Sequence, residues 1–153
     1  MFDSRPIPAA DLDRILEAAR RTPSSRNTQP WDFVLVTQPD RLEALSKVWR
    51  GAWHVAGSAA TIAIVAPDGD RGSVQYDLGQ VTMSIMLAAA DLGIGSGHAV
   101  VADHDLAASI LELPADRFCA WLIPLGYPAD RPLRPIERPN RRSFDDVVHR
   151  EHW

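Results

Sequence analysis

Between Thr22 and Trp31 the chain reads Thr-Pro-Ser-Ser-Arg-Asn-Thr-Gln-Pro-Trp, a run that sets short hydroxyls, two carboxamides and a guanidinium side by side. Such side chains both donate and accept hydrogen bonds, and together they suit the edge of a planar heteroaromatic ring, which presents both kinds of site. Pro23 and Pro30 bracket the run, each fixing its own φ and restricting the residue before it. The expected object is a stiff polar loop that holds a ligand. An ordinary turn after a helix has the same composition, and the run by itself does not separate the two.

The elements on either side must position this loop. Ala9 to Arg21 reads as a helix, with Leu12, Ile15, Leu16 and Ala19 on one face, acidic residues towards its start and Arg20 and Arg21 at its end. Trp31 to Thr37 reads as a buried strand. A second helix is expected from Asp40 to Trp49 after Pro39, with Leu42, Leu45, Val48 and Trp49 as its apolar stripe. Ala59 to Ala66 is a second central strand, ended by the turn residues Pro67 to Gly72. The longest helix follows, Ser73 to Leu92, and its middle from Val81 to Ala90 is apolar or small on nearly every side. A helix of that kind is enclosed, either by its own chain alone or by its chain and a second subunit.

Gly93-Ile94-Gly95-Ser96-Gly97-His98 ends that helix. Gly93 suits the left-handed residue just past a helix, and the alternate glycines let backbone approach a flat ligand. The run lacks the strand before it and helix after it that a dinucleotide fingerprint requires. A short helix capped near Asp103 or Asp105 is expected from Asp103 to Leu113, with Leu106, Ile110 and Leu113 inward. Phe118 to Leu125 is a third strand, and the apolar neighbours of Cys119 make it an inert core thiol. After Gly126 the prolines 128, 132, 135 and 139 exclude a helix or central strand. Residues 126–153 read as an extended arm whose Val147, Val148 and Trp153 have something to bury against a neighbour.

The chain has 153 residues, 46% hydrophobic and 24% charged, with a formal charge of -4. That fits one domain over residues 1–153 and gives no reason to expect nucleic-acid or membrane binding. The lone cysteine excludes an intrachain disulfide, and the longest apolar run falls far below the roughly 20 residues that span a bilayer. A cytoplasmic protein with small-molecule or self partners is expected. His149 and His152 stand too near a terminus to suggest a functional metal, and no nucleophile elbow or catalytic triad spacing occurs.

Several of these stretches together resemble the nitroreductase-like flavoprotein family. The likeness rests on Pro23-Ser24-Ser25-Arg26-Asn27-Thr28-Gln29-Pro30-Trp31 and on Tyr76-Asp77-Leu78-Gly79-Gln80. It continues through Asp91-Leu92-Gly93-Ile94-Gly95-Ser96, Leu125-Gly126-Tyr127-Pro128 and Arg138 to His149. The resemblance implies an α+β fold with a central mixed or antiparallel sheet flanked by helices. It also implies a long buried dimer helix and a C-terminal arm that embraces the other subunit of a homodimer. The implied cofactor is non-covalent FMN, with NADH or NADPH as donor and a nitroaromatic, quinone or similar small acceptor. The chemistry lies on the flavin, and no catalytic side chain is required.

Carried over residue by residue, Ser24, Ser25, Arg26, Asn27 and Gln29 contact the ring, Gly95 and Ser96 lie near it, and Arg141 and Arg142 bind the phosphate. Asp77, Gln80 and Trp31 are substrate-side candidates. Family members usually open with an Arg-Arg-Ser-x-Arg-x-Phe element, represented here only from Met1-Phe2-Asp3-Ser4-Arg5. Three expectations follow: Arg5 or Arg26 substitutes, FMN binds more weakly, or the fold is reused as a non-catalytic flavin store or flavin-free scaffold. A flavin-cleaving reaction and a deazaflavin in place of FMN are further alternatives.

Overall fold

A computed structural model describes residues 1–72, 74–130, 133 and 139–153. The expected positions Ser73, Pro132, Pro135 and Arg138 lie outside them. Four α-helices, α1 (Ala9–Arg20), α2 (Pro39–Leu45), α3 (Gln75–Asp91) and α4 (His104–Leu111), flank a sheet. Its strands are β1 (Asp32–Val36), β2 (Ala60–Pro67), β3 (Gly95–Ser96), β4 (Ala99–Val100) and β5 (Arg117–Gly126). The order is β1-β2-β5-β3, β4 also pairs with β5, and every pairing is antiparallel. The architecture is α+β, with an antiparallel sheet flanked by helices.

β2 and β5 are the central strands, and their side chains alternate between two cores. One face carries Ile62, Ile64, Ile123 and Leu125 against α1 and α3; the other carries Ala63, Cys119 and Leu122 against α2, α4 and a 3-10 segment, Arg50–Val55. Cys119 is fully buried, and burial pushes its thiol up to about 12.

Three expectations need correction. β1 is an edge strand, with Asp32 and Leu35 exposed, because only β2 pairs with it. Its four consecutive apolar residues mimic a strand covered on both faces. α2 stops at Leu45 rather than running to Trp49, and the half-exposed Trp49 ring lies over Gly51 instead of in the stripe. A Cβ on Gly51 would stand 2.1 Å from that ring. In α4 the fully buried residues are Ala107 and Leu111; Ile110 and, just beyond the helix, Leu113 pack partly buried on the core as expected, but Leu106 is at the surface, although Asp103 does cap the helix by accepting the Leu106 N–H at 2.9 Å. Of the two expected ways of enclosing α3, burial by its own chain alone does not occur: this chain covers one face only. Leu78, Val81, Ile85 and Ala89 face the core, whereas Tyr76, Met83 and Leu87 are 79%, 54% and 64% exposed. Among the described residues no helix is long and apolar enough to cross a membrane.

The first residues add a short edge to the sheet. Phe2 bridges to Pro128, the Asp3 N–H donates to the Tyr127 carbonyl at 2.8 Å and the Ala129 N–H to the Met1 carbonyl at 3.0 Å. The Phe2 ring sits on Gly126, where a Cβ would stand 2.6 Å from it.

Gly126→Ala is therefore expected to cost about 1–3 kcal/mol through overpacking. In urea titrations, Phe2→Ala should cost less in that background than in the native chain, and additive losses would contradict the contact. The Cys119 thiol should stay unreactive to Ellman's reagent at pH 8 until urea unfolds the chain. Because its folded pKa is raised, its contribution to stability is complete below the unfolded value, near 9, and is lost as pH rises towards about 12. Cys119→Ala should flatten that alkaline decline.

Candidate functional site

α1 closes with the Thr22 N–H donating to the Ala19 carbonyl at 3.1 Å, and Pro23 prevents a further turn. The chain then makes a single 3-10 turn, Ser25–Asn27, in which the Asn27 N–H bonds the Ser24 carbonyl and the Thr28 N–H the Ser25 carbonyl, both at 3.0 Å. Three residues here are left-handed: Arg26 at φ 51°, Asn27 at 56° and Gln29 at 48°. For L side chains that conformation costs on the order of 1 kcal/mol or more each, least for asparagine.

A few bonds hold the strained path. Ser24 Oγ accepts the Gln29 N–H at 2.8 Å, the Thr28 hydroxyl donates to the Ser25 carbonyl at 3.0 Å and the Trp31 N–H to the Gln29 carbonyl at 2.8 Å. Trp31, 8% exposed, roots the end of the loop in the core. From the other side comes Asp77, in the first turn of α3 and 4% exposed, whose two oxygens both stand 3.1 Å from the Ser25 nitrogen. Gln80 donates its amide to the same carboxylate at 3.3 Å. Ser25, Arg26, Asn27 and Gln29 remain exposed.

The other candidates lie elsewhere. Gly95 and Ser96 form β3, opposite Gly126 and Leu125 of β5. The space beside Gly95 is filled by the chain itself: a Cβ would meet the Gly126 carbonyl at 3.1 Å, Pro128 at 3.2 Å and Phe2 at 3.4 Å. The loop enters β1 at Asp32, opposite Val65 and so near the Cys119 end of β5, while β3 pairs at the Gly126 end. Those ends are roughly 20 Å apart at about 3.3 Å per residue. The two groups occupy diagonally opposite corners of the sheet, one at each end of α3.

Arg141 and Arg142 are exposed in the C-terminal segment, donating to the carbonyls of Asn140, at 3.0 Å, and Asp146. Arg5 pairs with Asp3 at 2.8 Å, holding that carboxyl below its ordinary range, and lies 4.2 Å from the centre of the Tyr127 ring. The Arg26 side chain makes no hydrogen bond or ion pair among the described residues. An open depression of about 550 Å³, lined by Val48, Arg71, Ala102, Asp103, His104 and Asp105, shares no residue with any of these groups. Sequence reasoning missed the left-handed backbone and the Ser25–Asp77 bond. The prolines signalled an unusual loop, but nothing local paired two residues 52 positions apart.

Comparison with known proteins decides the family. The nitroreductase family model matches residues 1–68. An Archaeoglobus fulgidus protein, whose name joins NADH dehydrogenase and NAD(P)H nitroreductase, is 29% identical over 162 residues, all of this chain and 91% of the relative. The oxygen-insensitive NADPH nitroreductase of Salmonella typhimurium is 30% identical over 170 residues, covering 99% of this chain and 69% of the relative. The chain belongs to the nitroreductase family. The solved structure of the FMN-dependent nitroreductase of Clostridium difficile R20291 shares the fold, with a TM-score of 0.89 at 21% identity over 99% of this chain and 92% of that one. Within this nitroreductase-family fold, the strained loop at the start of α3 and the glycine segment beyond its end are the two places where the candidate residues gather.

Gln29→Gly removes a left-handed side chain and is expected to raise stability by about 0.5–1 kcal/mol, read as a higher urea midpoint. A lower midpoint would show that the side chain, not the backbone, holds the loop.

Proposed function

We propose that this nitroreductase-family chain works as a homodimeric, FMN-dependent oxidoreductase, one domain per subunit, passing hydride from NADH or NADPH to a small acceptor such as a nitroaromatic or quinone. Its relatives carry the names NADPH nitroreductase and FMN-dependent nitroreductase. The observation that carries the proposal is the outer face of α3. Tyr76, Gly79, Met83, Leu87 and Ala90 recur at helical spacing, uncharged and exposed. A glycine inside a helix costs about 1 kcal/mol against alanine, and among the described residues nothing beyond its own stretch of helix backbone lies within 4 Å of where the Gly79 Cβ would be. Both features suit a second α3 packed closely on the first. A two-fold axis across that face sets the loop end of one helix beside the Gly95 end of the other, so each cleft draws on both copies.

The side chains present fit FMN. Ser25, Asn27 and Gln29 offer exposed donors and acceptors for the edge of the ring, and Arg141 and Arg142 offer forked guanidiniums for a phosphate dianion. Arg26 adds a third cation at the tip of the loop. Phe144, Val147, Val148 and Trp153 are exposed in the arm. Laid across the partner, they would carry Arg141 and Arg142 to the shared cleft. When bound, FMN supplies two-electron hydride chemistry; the chain's part is to bind, orient and exclude water. The lone buried cysteine accords with a cytoplasmic setting.

One observation favours a non-catalytic store or scaffold: Arg5, a candidate for the phosphate, is committed to Asp3 and Tyr127. Flavin absorbance of the purified protein, bleached by NADH or NADPH, supports the enzyme. Flavin that is bound but not bleached supports the store, and failure to take up added FMN leaves the scaffold.

Replacing both Arg141 and Arg142 by Ala removes two charge-assisted hydrogen bonds of roughly 1.5–3 kcal/mol each and should raise the FMN Kd about a hundredfold or more. Leu87→Arg should yield a monomer in sedimentation and lose FMN at the same time. A flavin-loaded Leu87→Arg monomer would refute the shared cleft.

A further inference from the structure

Asp77 is, among the described residues, the only charged side chain that is buried. At the third position of a helix an acidic side chain commonly reaches back to the helix's own first N–H groups. Among the described residues no side chain caps the start of α3. The carboxylate is turned instead to a backbone 52 residues earlier, with both oxygens at 3.1 Å from the Ser25 nitrogen, and takes the Gln80 amide at 3.3 Å. A buried carboxylate is costly unless it is well bonded, and attraction to the helix dipole is available at an exposed position without any such contact. The loop is what the burial achieves.

Ser25 opens the 3-10 turn, and the left-handed residues 26, 27 and 29 follow directly. If the start of the turn were free, those residues would relax towards right-handed backbone. The remaining bonds, from Ser24, Thr28 and Trp31, lie within the loop and its exit and do not tie it to α3.

We propose that Asp77 is the positioning residue of the cofactor loop: by gripping the Ser25 N–H it holds Arg26, Asn27 and Gln29 in a strained outward display before any ligand arrives. The inference deepens the flavin reading above and rests on it for the identity of the ligand. A loop ordered in advance loses little entropy on binding, so the clamp acts on affinity.

Arg26 makes the clamp measurable without flavin, because trypsin cuts after arginine only where the backbone can leave its fold. Limited trypsinolysis of the full chain as purified, stripped of any flavin, reads cleavage at Arg26–Asn27 by mass spectrometry, with thermal unfolding followed in parallel. Asp77→Ala is expected to raise that cleavage about ten- to a hundredfold, the opening that corresponds to one charged hydrogen bond. Asp77→Asn keeps an acceptor oxygen for Ser25, with Gln80 turned to receive the new amide, and should lie within a few-fold of the native chain. If Asp77→Ala does not fold, the rise in Asp77→Leu, which fills the same space without an acceptor, serves instead.

FMN titration of the same proteins should give a Kd raised in step with cleavage for Ala or Leu and restored in Asn. Cleavage that does not change beyond what global unfolding explains overturns the proposal. Faster cleavage with unchanged FMN affinity also overturns it, leaving a purely structural bond. A native chain that binds no FMN, yet shows Asp77-dependent cleavage, sinks the flavin reading while the clamp itself stands.

Discussion

A helix of 17 residues is about 25 Å long, and in this protein that length governs the site. α3 runs from the corner of the sheet where the Ser25 loop enters β1 to the opposite corner, where β3 meets β5. A flat ligand touching both the loop and the glycine segment cannot do so along one copy of the helix. In the proposed dimer, pairing two copies antiparallel about a two-fold axis would remove the difficulty, since the start of one helix would then lie at the end of the other. The exposed Tyr76, Met83 and Leu87 and the bare Gly79 form the face that this pairing would use. Burial of that apolar surface, at about 25 cal/mol per Å², would be its driving force.

The loop shows how local strain and tertiary bonding balance. Arg26, Asn27 and Gln29 occupy a conformation their side chains disfavour, and neither proline requires it. The compensation is distributed: Trp31 is sunk in the core, Ser24 bonds Gln29 and Asp77 holds Ser25. Strain maintained in this way keeps polar side chains pointed outward and limits their freedom. On the proposed reading, a relaxed turn of the same sequence would bind a ligand more weakly, because it would first have to be ordered.

Most of the frame was legible in the sequence because periodicity reports burial. Leu12, Ile15 and Ala19 of α1 and the apolar runs of β2 and β5 are core positions, and Gly93 is left-handed as its place after α3 implied. The failures have physical causes. Phe33 to Val36 reads as doubly covered, yet strand order leaves β1 at the edge, and composition does not encode order. The residues after Leu45 keep helical spacing at Val48, but the chain turns into the 3-10 segment from Arg50, with Trp49 folded over Gly51. The polar loop and the acidic residue of α3 were each legible alone. Their bond was not, since it depends on α1 and α3 packing side by side.

At Gly95 the place a Cβ would take is occupied within this chain by Phe2, Pro128 and the Gly126 carbonyl. The first residues of the chain thus plug the corner where β3 ends and bring Arg5 over Tyr127 with its charge answered by Asp3. A cation already paired and stacked gains less from a phosphate than one without a partner, because its existing contacts must first be broken. On the proposed flavin reading, the exposed cations offered to a phosphate would include Arg26 at the loop tip and Arg141 and Arg142 in the C-terminal segment. In a single copy these stand on separate segments, and a partner's arm laid over the cleft is what would bring them together.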